Sequence, residues 1–231
     1  MTLSHISQSG HVASAPLLLY LHGAGEVGGD PVEQLRKHGP WTNALYDPRN
    51  AYGSDTAAAL RRFHVLAFHL QEGDWDGAAL DAELEAYLAA HPAIDRARLF
   101  LTGVSRGGRG VLRLAIQRRR VEHPVTAIAA FCPAGGAAEY SDADLVLLRQ
   151  VPTYFIHSPE DEAVPFEGTA SLHRQIGSAS SRLRIVHPSE LADASGPHNC
   201  WTQFYGHPEL YRWLEGSGPD PADWPHLPAR R

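Results

Sequence analysis

Six short apolar runs recur along the chain, at PLLLYLHG, FHVLAFHL, RLFLTGV, VTAIAAFC, PTYFIHS and RLRIVHP. Each has the length and β-prone composition of a buried strand, and most are separated by segments whose apolar residues fall three and four apart, as on one face of a helix. Between Asp76 and His91, the residues Leu80, Leu84, Tyr87 and Leu88 share such a face, with Asp76 placed as N-cap and Pro92 just past the end. Val111, Leu112 and Ala115 repeat the spacing after the third run. Asp30, Pro31 and Glu33 read as cap, first-turn proline and capping-box acid of a short helix through Val32 and Leu35, stopped at Gly39 and Pro40. Strands alternating with helices predict an α/β fold with a doubly wound, mostly parallel sheet, whose ligands bind at the carboxyl ends of the strands. A single domain over 1–217 is expected, followed by an irregular proline-rich tail over 218–231.

Composition narrows the choice of partner. The 231 residues are 43% hydrophobic, enough for a substantial core in one domain. The formal net charge of −6 and the absence of a clustered basic face argue against nucleic acid or an anionic membrane as partner. The most basic stretch, RLAIQRRR ending at Arg120, reads as the solvated C-terminal end of a helix, where cations suit the dipole. The N-terminus lacks the basic start and apolar core of a secretion signal, and no apolar run approaches the roughly 20 residues needed to span a bilayer. A cytoplasmic protein is the expectation. Cys132 and Cys200 are read as two reduced thiols, and no metal or other cofactor is expected from their spacing.

The chemistry concentrates where the third run ends, in RLFLTGVSRGGRGVLRLA. Ser105 sits between a strand over Leu99–Thr102 and the helix that follows. A serine on so sharp a turn takes a strained backbone and projects its oxygen above the sheet, with Gly103 and Gly107 where side chains would collide. The amide of Arg106, first in the helix, can bind developing negative charge with help from the helix dipole. A turn serine with no chemistry would share the local pattern. A serine nucleophile also demands a histidine base and an orienting carboxylate from later strand ends. Asp161 follows the fifth run in HSPEDEAVP, with Glu160 and Glu162 as rivals on the same loop. Of 14 histidines, His198 stands after the last run and before the aromatic stretch through Trp201, Phe204 and Tyr205. His207 fits on spacing but lies beside Pro208 in a helical region, and His22, at a strand end, reads as structural. The glycine-rich loop HGAGEVGGD after the first run brings small residues to the same end of the sheet, and Ala24 is placed there as the second oxyanion donor. Neither GxxxxGK[ST] nor GxGxxG is present, which sets nucleotide binding aside.

YLHGAGEVGGD, LRKHGPW, DRARLFLTGVSRGG, HSPEDEAVP and HNCWTQFYGHPELYRWL together resemble the dienelactone hydrolase and phospholipase/carboxylesterase-like branch of the α/β-hydrolases, in the family's order, from about Pro16 to Leu214. The resemblance implies Ser105 as nucleophile, Asp161 as acid, His198 as base, and the Ala24 and Arg106 amides as oxyanion hole. It favours Asp161 over its neighbours because the family's acid commonly precedes a valine-proline pair by three residues, here Val164 and Pro165. Two features depart from the family. Ser158 replaces a usual glycine, and only about 15 residues precede the first strong strand, where relatives often carry one or two more strands. An uncovered sheet edge there suggests a homodimer through that edge, or a cover made by the tail. The expected activity is hydrolysis of esters of a small or medium-sized molecule through an acyl-enzyme. A peptidase or acyl-peptide hydrolase, or a non-catalytic binding protein on the same scaffold, is the alternative. The long loop over 41–62, with Trp41, Tyr46 and Tyr52, and Trp75 further on, is expected to line a small apolar pocket or to pack.

Overall fold

The computed structural model describes residues 3–8, 14–46, 52–191, 196–216, 218 and 224. Its centre is a seven-stranded sheet made of β1 (Leu3–Gln8), β2 (Pro16–Leu21), β3 (His64–Leu70), β4 (Asp95–Val104), β5 (Ala127–Phe131), β6 (Thr153–His157) and β7 (Ser181–Ile185). The order across the sheet is β1-β3-β2-β4-β5-β6-β7. Six strands run parallel, and β1 pairs antiparallel with β3, from Leu3 opposite Leu70 to Gln8 opposite Val65. The N-terminal edge is thus shortened to one added strand. LSHISQ carries no apolar run because a half-buried edge strand needs none.

Both faces of the sheet are covered, and β2 shows how. Leu17, Leu19 and Leu21 point into one core with Trp75, Leu84 and Val111, while Leu18 and Tyr20 point into another with Phe63, Phe131 and Tyr205. A strand buried on both sides must be apolar throughout, which is why PLLLYL shows no alternation. Helix α1 (Pro31–Leu35) is capped by Asp30, whose carboxylate accepts from the amides of Val32 and Glu33. Helix α2 (Gly53–Leu60) lies inside the segment read as a long loop. Its run of alanines carries no apolar periodicity, yet Thr56 ties it to the Gly206 carbonyl at 2.6 Å. Helix α3 (Gly77–Ala90) starts at Asp76, which accepts from the Ala79 amide at 2.8 Å. Helices α4 (Arg106–Arg120), α5 (Asp142–Leu148), α6 (Phe166–Ile176), α7 (Trp201–Tyr205) and α8 (Pro208–Leu214) complete the layers.

Arg118 departs from the expected solvated helix end. It lies on the same face of α4 as Val111, Leu114 and Ala115, is 1% exposed, and donates to Asp81 at 2.6 Å and Glu85 at 2.9 Å, both on α3. A cation that deep is retained because two carboxylates and the Pro124 carbonyl satisfy it. Trp75 also packs rather than lining a pocket. Its ring fills the space over Gly110, where a Cβ would lie 2.8 Å away. Trp224, from the C-terminal tail, is buried against Tyr154, Phe204 and His207. Among the described residues no helix is long and apolar enough to cross a membrane.

Candidate active site

Strand β4 ends at Val104, and the chain reverses at Ser105 into α4 with φ 53° and ψ −116°. A non-glycine residue in that region is strained by about 1–3 kcal/mol and persists only where its surroundings hold it. Three hydrogen bonds do so. The Ser105 amide donates to the Phe131 carbonyl at 2.9 Å, and the Ser105 carbonyl accepts from Arg109 at 3.2 Å and Ala134 at 3.0 Å. The glycines explain how the turn closes. A Cβ on Gly103 would stand 2.4 Å from the Gly107 carbonyl oxygen, and one on Gly107 would stand 2.1 Å from that of Leu21, so α4 begins directly against the ends of β4 and β2. Arg106 opens the 15-residue helix, where the first amides have no intrahelical acceptor and the dipole is positive. Its guanidinium turns aside to the Gly73 carbonyl.

The loop after β2 lies on the serine, because a Cβ built on Gly23 would be 3.6 Å from Ser105 Cβ. Ala24 follows at the start of a single 3-10 turn, Ala24–Glu26. Buried groups from β3 and beyond clamp this loop. His22 donates through Nδ1 to the Gly23 carbonyl at 2.7 Å and accepts through Nε2 from the Leu70 amide at 3.0 Å. His69 donates to the Glu26 carbonyl at 2.9 Å, and the Trp75 indole to that of His22 at 3.2 Å. Burial lowers the His22 pKa to about 4, so the imidazole is neutral near pH 7 and can serve as donor and acceptor at once. His22 is therefore structural, as its strand-end position suggests.

The candidate acid and base, Asp161 and His198, follow strands β6 and β7. Asp161 lies just beyond β6 and is buried, whereas its rivals Glu160 and Glu162 are exposed. Its Oδ1 accepts from the Ala163 and Val164 amides, each at 2.9 Å, and its Oδ2 from His157 Nε2 at 3.0 Å and His198 Nδ1 at 2.7 Å. Burial alone would raise the carboxyl pKa. The hydrogen bonds from His157, His198 and the Val164 amide outweigh it and hold the pKa well below the usual carboxylate range. His157 went unassigned in the sequence, though its placement four residues before Asp161 at a strand end is the signal that locates it.

With Nδ1 committed to Asp161, His198 keeps Nε2 for other work. Its ring stands edge-on to Trp201 at 5.2 Å, and its carbonyl accepts from the Cys132 thiol at 3.5 Å. Cys132 directly follows Phe131, the residue that holds the Ser105 amide, so Ser105 and His198 flank one buried side chain. The Ser105 hydroxyl makes no hydrogen bond among the described residues; the relay is joined at its His198–Asp161 half. Such bonds are often long before substrate binds. His207, the alternative base, is elsewhere. It caps α8 by accepting from the Glu209 amide and is enclosed by Tyr52 and Trp224.

Among the described residues, two clusters bring metal-ligating atoms together. Cys132, Asp161 and His198 offer atoms within 4.8 Å of one another. Burial and the neighbouring Cys200 push the Cys132 thiol pKa well up, which opposes the thiolate a metal needs, and Asp161 is already saturated by donors. In the other, Asp81, Glu85 and His123 surround Arg118, which supplies the cation.

No protein-family model matches the chain, and no curated sequence does. Solved structures match it throughout. A thermostable esterase superposes with a TM-score of 0.68 at 20% identity, covering 93% of this chain, which spans 59% of that esterase. A protein of unknown function from Agrobacterium tumefaciens, provisionally classed as an α/β hydrolase, matches with a TM-score of 0.65 at 17% identity over 95% of each chain. This chain has the α/β-hydrolase fold. An acylaminoacyl peptidase from Pyrococcus horikoshii carries the α/β-hydrolase fold of this chain in 38% of its length, with a TM-score of 0.55 at 13% identity over 93% of this chain. The fold agrees with the resemblance carried by the sequence motifs, and similarity at these identities leaves the activity to be argued from the site.

Proposed function

We propose that the chain is a serine hydrolase that cleaves carboxylic esters of small or medium-sized molecules through an acyl-enzyme. The observation that carries this reading is the juxtaposition of a strained serine at a helix N-terminus with the half-buried His198, bonded to the buried Asp161, on the other side of Cys132. In the proposed cycle, His198 Nε2 takes the Ser105 proton as the oxygen attacks the ester carbonyl. The oxyanion rests between the Ala24 and Arg106 amides, where the α4 dipole adds to the attraction. Asp161 stays ionised, holds His198 in the tautomer protonated at Nδ1, and stabilises the imidazolium. His198 then protonates the departing alcohol, and water, activated by the same base, releases the acid.

The structural similarity to an acylaminoacyl peptidase favours a second reading, in which the leaving group is an amine. Matched p-nitrophenyl esters and aminoacyl p-nitroanilides separate the two. A fluorophosphonate probe tests both at once. Labelling of the native chain that disappears in Ser105→Ala supports the serine nucleophile, and equal labelling of both refutes it.

A further inference from the structure

Glu26 and Asp161 are both buried, with side chains 9% and 0% exposed, yet their surroundings differ sharply. Asp161 receives four hydrogen bonds. Glu26 has a side chain only 9% exposed and faces His38 Nε2 at 3.9 Å, too long for a hydrogen bond; among the described residues none lies closer as a donor. A carboxylate largely removed from water, with one distant imidazole as its partner, is costly, and such a group is retained where something else completes it.

Its location points to what does. Glu26 ends the turn that Ala24 begins. A Cβ on Gly23 would lie 3.3 Å from Glu26 Oε2 and 3.6 Å from Ser105 Cβ, so the carboxylate and the serine side chain stand against the same glycine. The His38 ring stands edge-on to Trp201 at 5.6 Å, and the opposing contact of Trp201 is the His198 ring at 5.2 Å. Trp201 therefore touches one imidazole from each of two imidazole–carboxylate pairs, His198 with Asp161 and His38 with Glu26. A negative charge this close to a forming oxyanion opposes it unless a cation lies between them.

We infer that Glu26 is the recognition group for a protonated amine on the acyl part of the substrate, so that the site selects α-amino acid esters over uncharged esters of the same shape. The inference deepens the serine-hydrolase reading and rests on it. In an α-amino ester the ammonium is one carbon from the scissile carbonyl. A carboxylate standing against the same glycine as the nucleophile is at the right reach for it, and the bound cation both completes Glu26 and offsets its repulsion of the oxyanion.

The test compares hydrolysis of L-alanine benzyl ester with that of benzyl propionate at about pH 6, where an amino group of pKa near 8 is charged. Each kcat/KM is divided by the uncatalysed rate, because the ammonium activates its own ester. The native chain is expected to favour the alanine ester by on the order of 10- to 100-fold, the range of one charge-assisted hydrogen bond. Glu26→Gln should bring that ratio close to one, and Glu162→Gln, which removes an exposed carboxylate on the Asp161 loop, should leave it unchanged. A native ratio at or below one overturns the inference without any variant, and so does a Glu26→Gln ratio equal to the native one; Glu26→Asp gives a second variant should the glutamine form not fold. Fluorophosphonate labelling of Ser105 separates the failures. A labelled enzyme with a flat ratio sinks only the amine subsite, whereas an unlabelled chain sinks the serine-hydrolase reading and this inference with it.

Discussion

The turn at Ser105 is held chiefly by main-chain contacts, with His22, His69 and Trp75 clamping the carbonyls of the loop beside it, whereas Asp161 and His198 are joined through their own side-chain atoms. On the first side, glycines let carbonyls and amides approach to distances that no Cβ would permit, and the strain at Ser105 is locked by the Phe131 carbonyl of β5 and the amides of Arg109 and Ala134. On the second, one carboxylate gathers two amides and two imidazoles, one of them 37 positions away. A half built by close steric contact should tolerate no added atom. A half built by hydrogen bonds should tolerate changes of shape better than the loss of a donor or a charge.

The largest expected effect is on the Ser105 hydroxyl. Ser105→Ala should lower turnover of a p-nitrophenyl ester by about 10⁴-fold or more while leaving the melting temperature within a few degrees. Asp161→Asn should cost about 10³- to 10⁴-fold, since the amide can no longer hold His198 as a hydrogen-bond donor at Nδ1. Retention of native activity by either variant breaks the assignment of roles to the two halves.

Adding one methyl group tests the steric half. In Gly107→Ala the new Cβ would meet the carbonyl oxygens of Leu21 at 2.1 Å and His22 at 2.5 Å, both main chain and neither free to swing away. Destabilisation of about 4 kcal/mol is expected, which for a chain of this size is a fall of roughly 10 °C in melting temperature. A calorimetric scan that superposes on the native one would show that α4 can step back from β2, and the steric account of the elbow would be wrong.

Acid distinguishes the halves by order of failure. His22 has a folded pKa of about 4 against an ordinary 6.5, so the unfolded chain binds the proton first. Its contribution is complete above about pH 6.5 and is lost as pH falls towards 4, by up to about 3 kcal/mol. Asp161 is depressed from 3.8, so its contribution persists down to that value and is lost only in stronger acid. Hydrogen-exchange protection factors measured between pH 7 and 4 are expected to fall in the Gly23–Glu26 loop before they do around Ala163 and Val164. The reverse order would place the weaker clamp on the other side.

These contrasts also explain what the sequence displays. The six parallel strands, α3 with its Asp76 cap, and the Ser105 turn are legible because their causes are local: unbroken apolar runs, a capping residue next to its helix, glycines within three positions of the serine. Asp161 is singled out among three acids only by the family resemblance at Val164 and Pro165, although the amides that donate to its Oδ1 belong to its near neighbours Ala163 and Val164. Long-range causes are not legible. Nothing near Arg118 announces that α3 will bring Asp81 and Glu85 to it, and GSDTAAAL hides α2 because its tie to Gly206 spans 150 residues. Edge strand β1 exists through pairing with β3 rather than through its own composition. The burial of Glu26 belongs to the same class, being set by the clamp that β3 places on its loop.

The smallest effect expected is at His157, and it bears most directly on the idea of a half built from donors. This imidazole is wholly buried, accepts from the Thr169 hydroxyl at Nδ1 over 2.7 Å, and donates from Nε2 to the Asp161 oxygen that His198 also uses. It touches no reacting atom and acts by positioning. Replacing it with Leu removes the donor while filling much of the space, and kcat is expected to fall on the order of tenfold with KM little changed, because Asp161 gains freedom to turn away from His198. His157→Gln restores a donor and should recover most of that loss, a rescue that a purely packing role for His157 would not produce. Equal activities in the Leu and Gln variants would mean that the two amides on Oδ1 suffice to aim the carboxylate. The hydrogen-bonded half would then rest on main-chain contacts as the elbow does, and the distinction between the two halves would disappear.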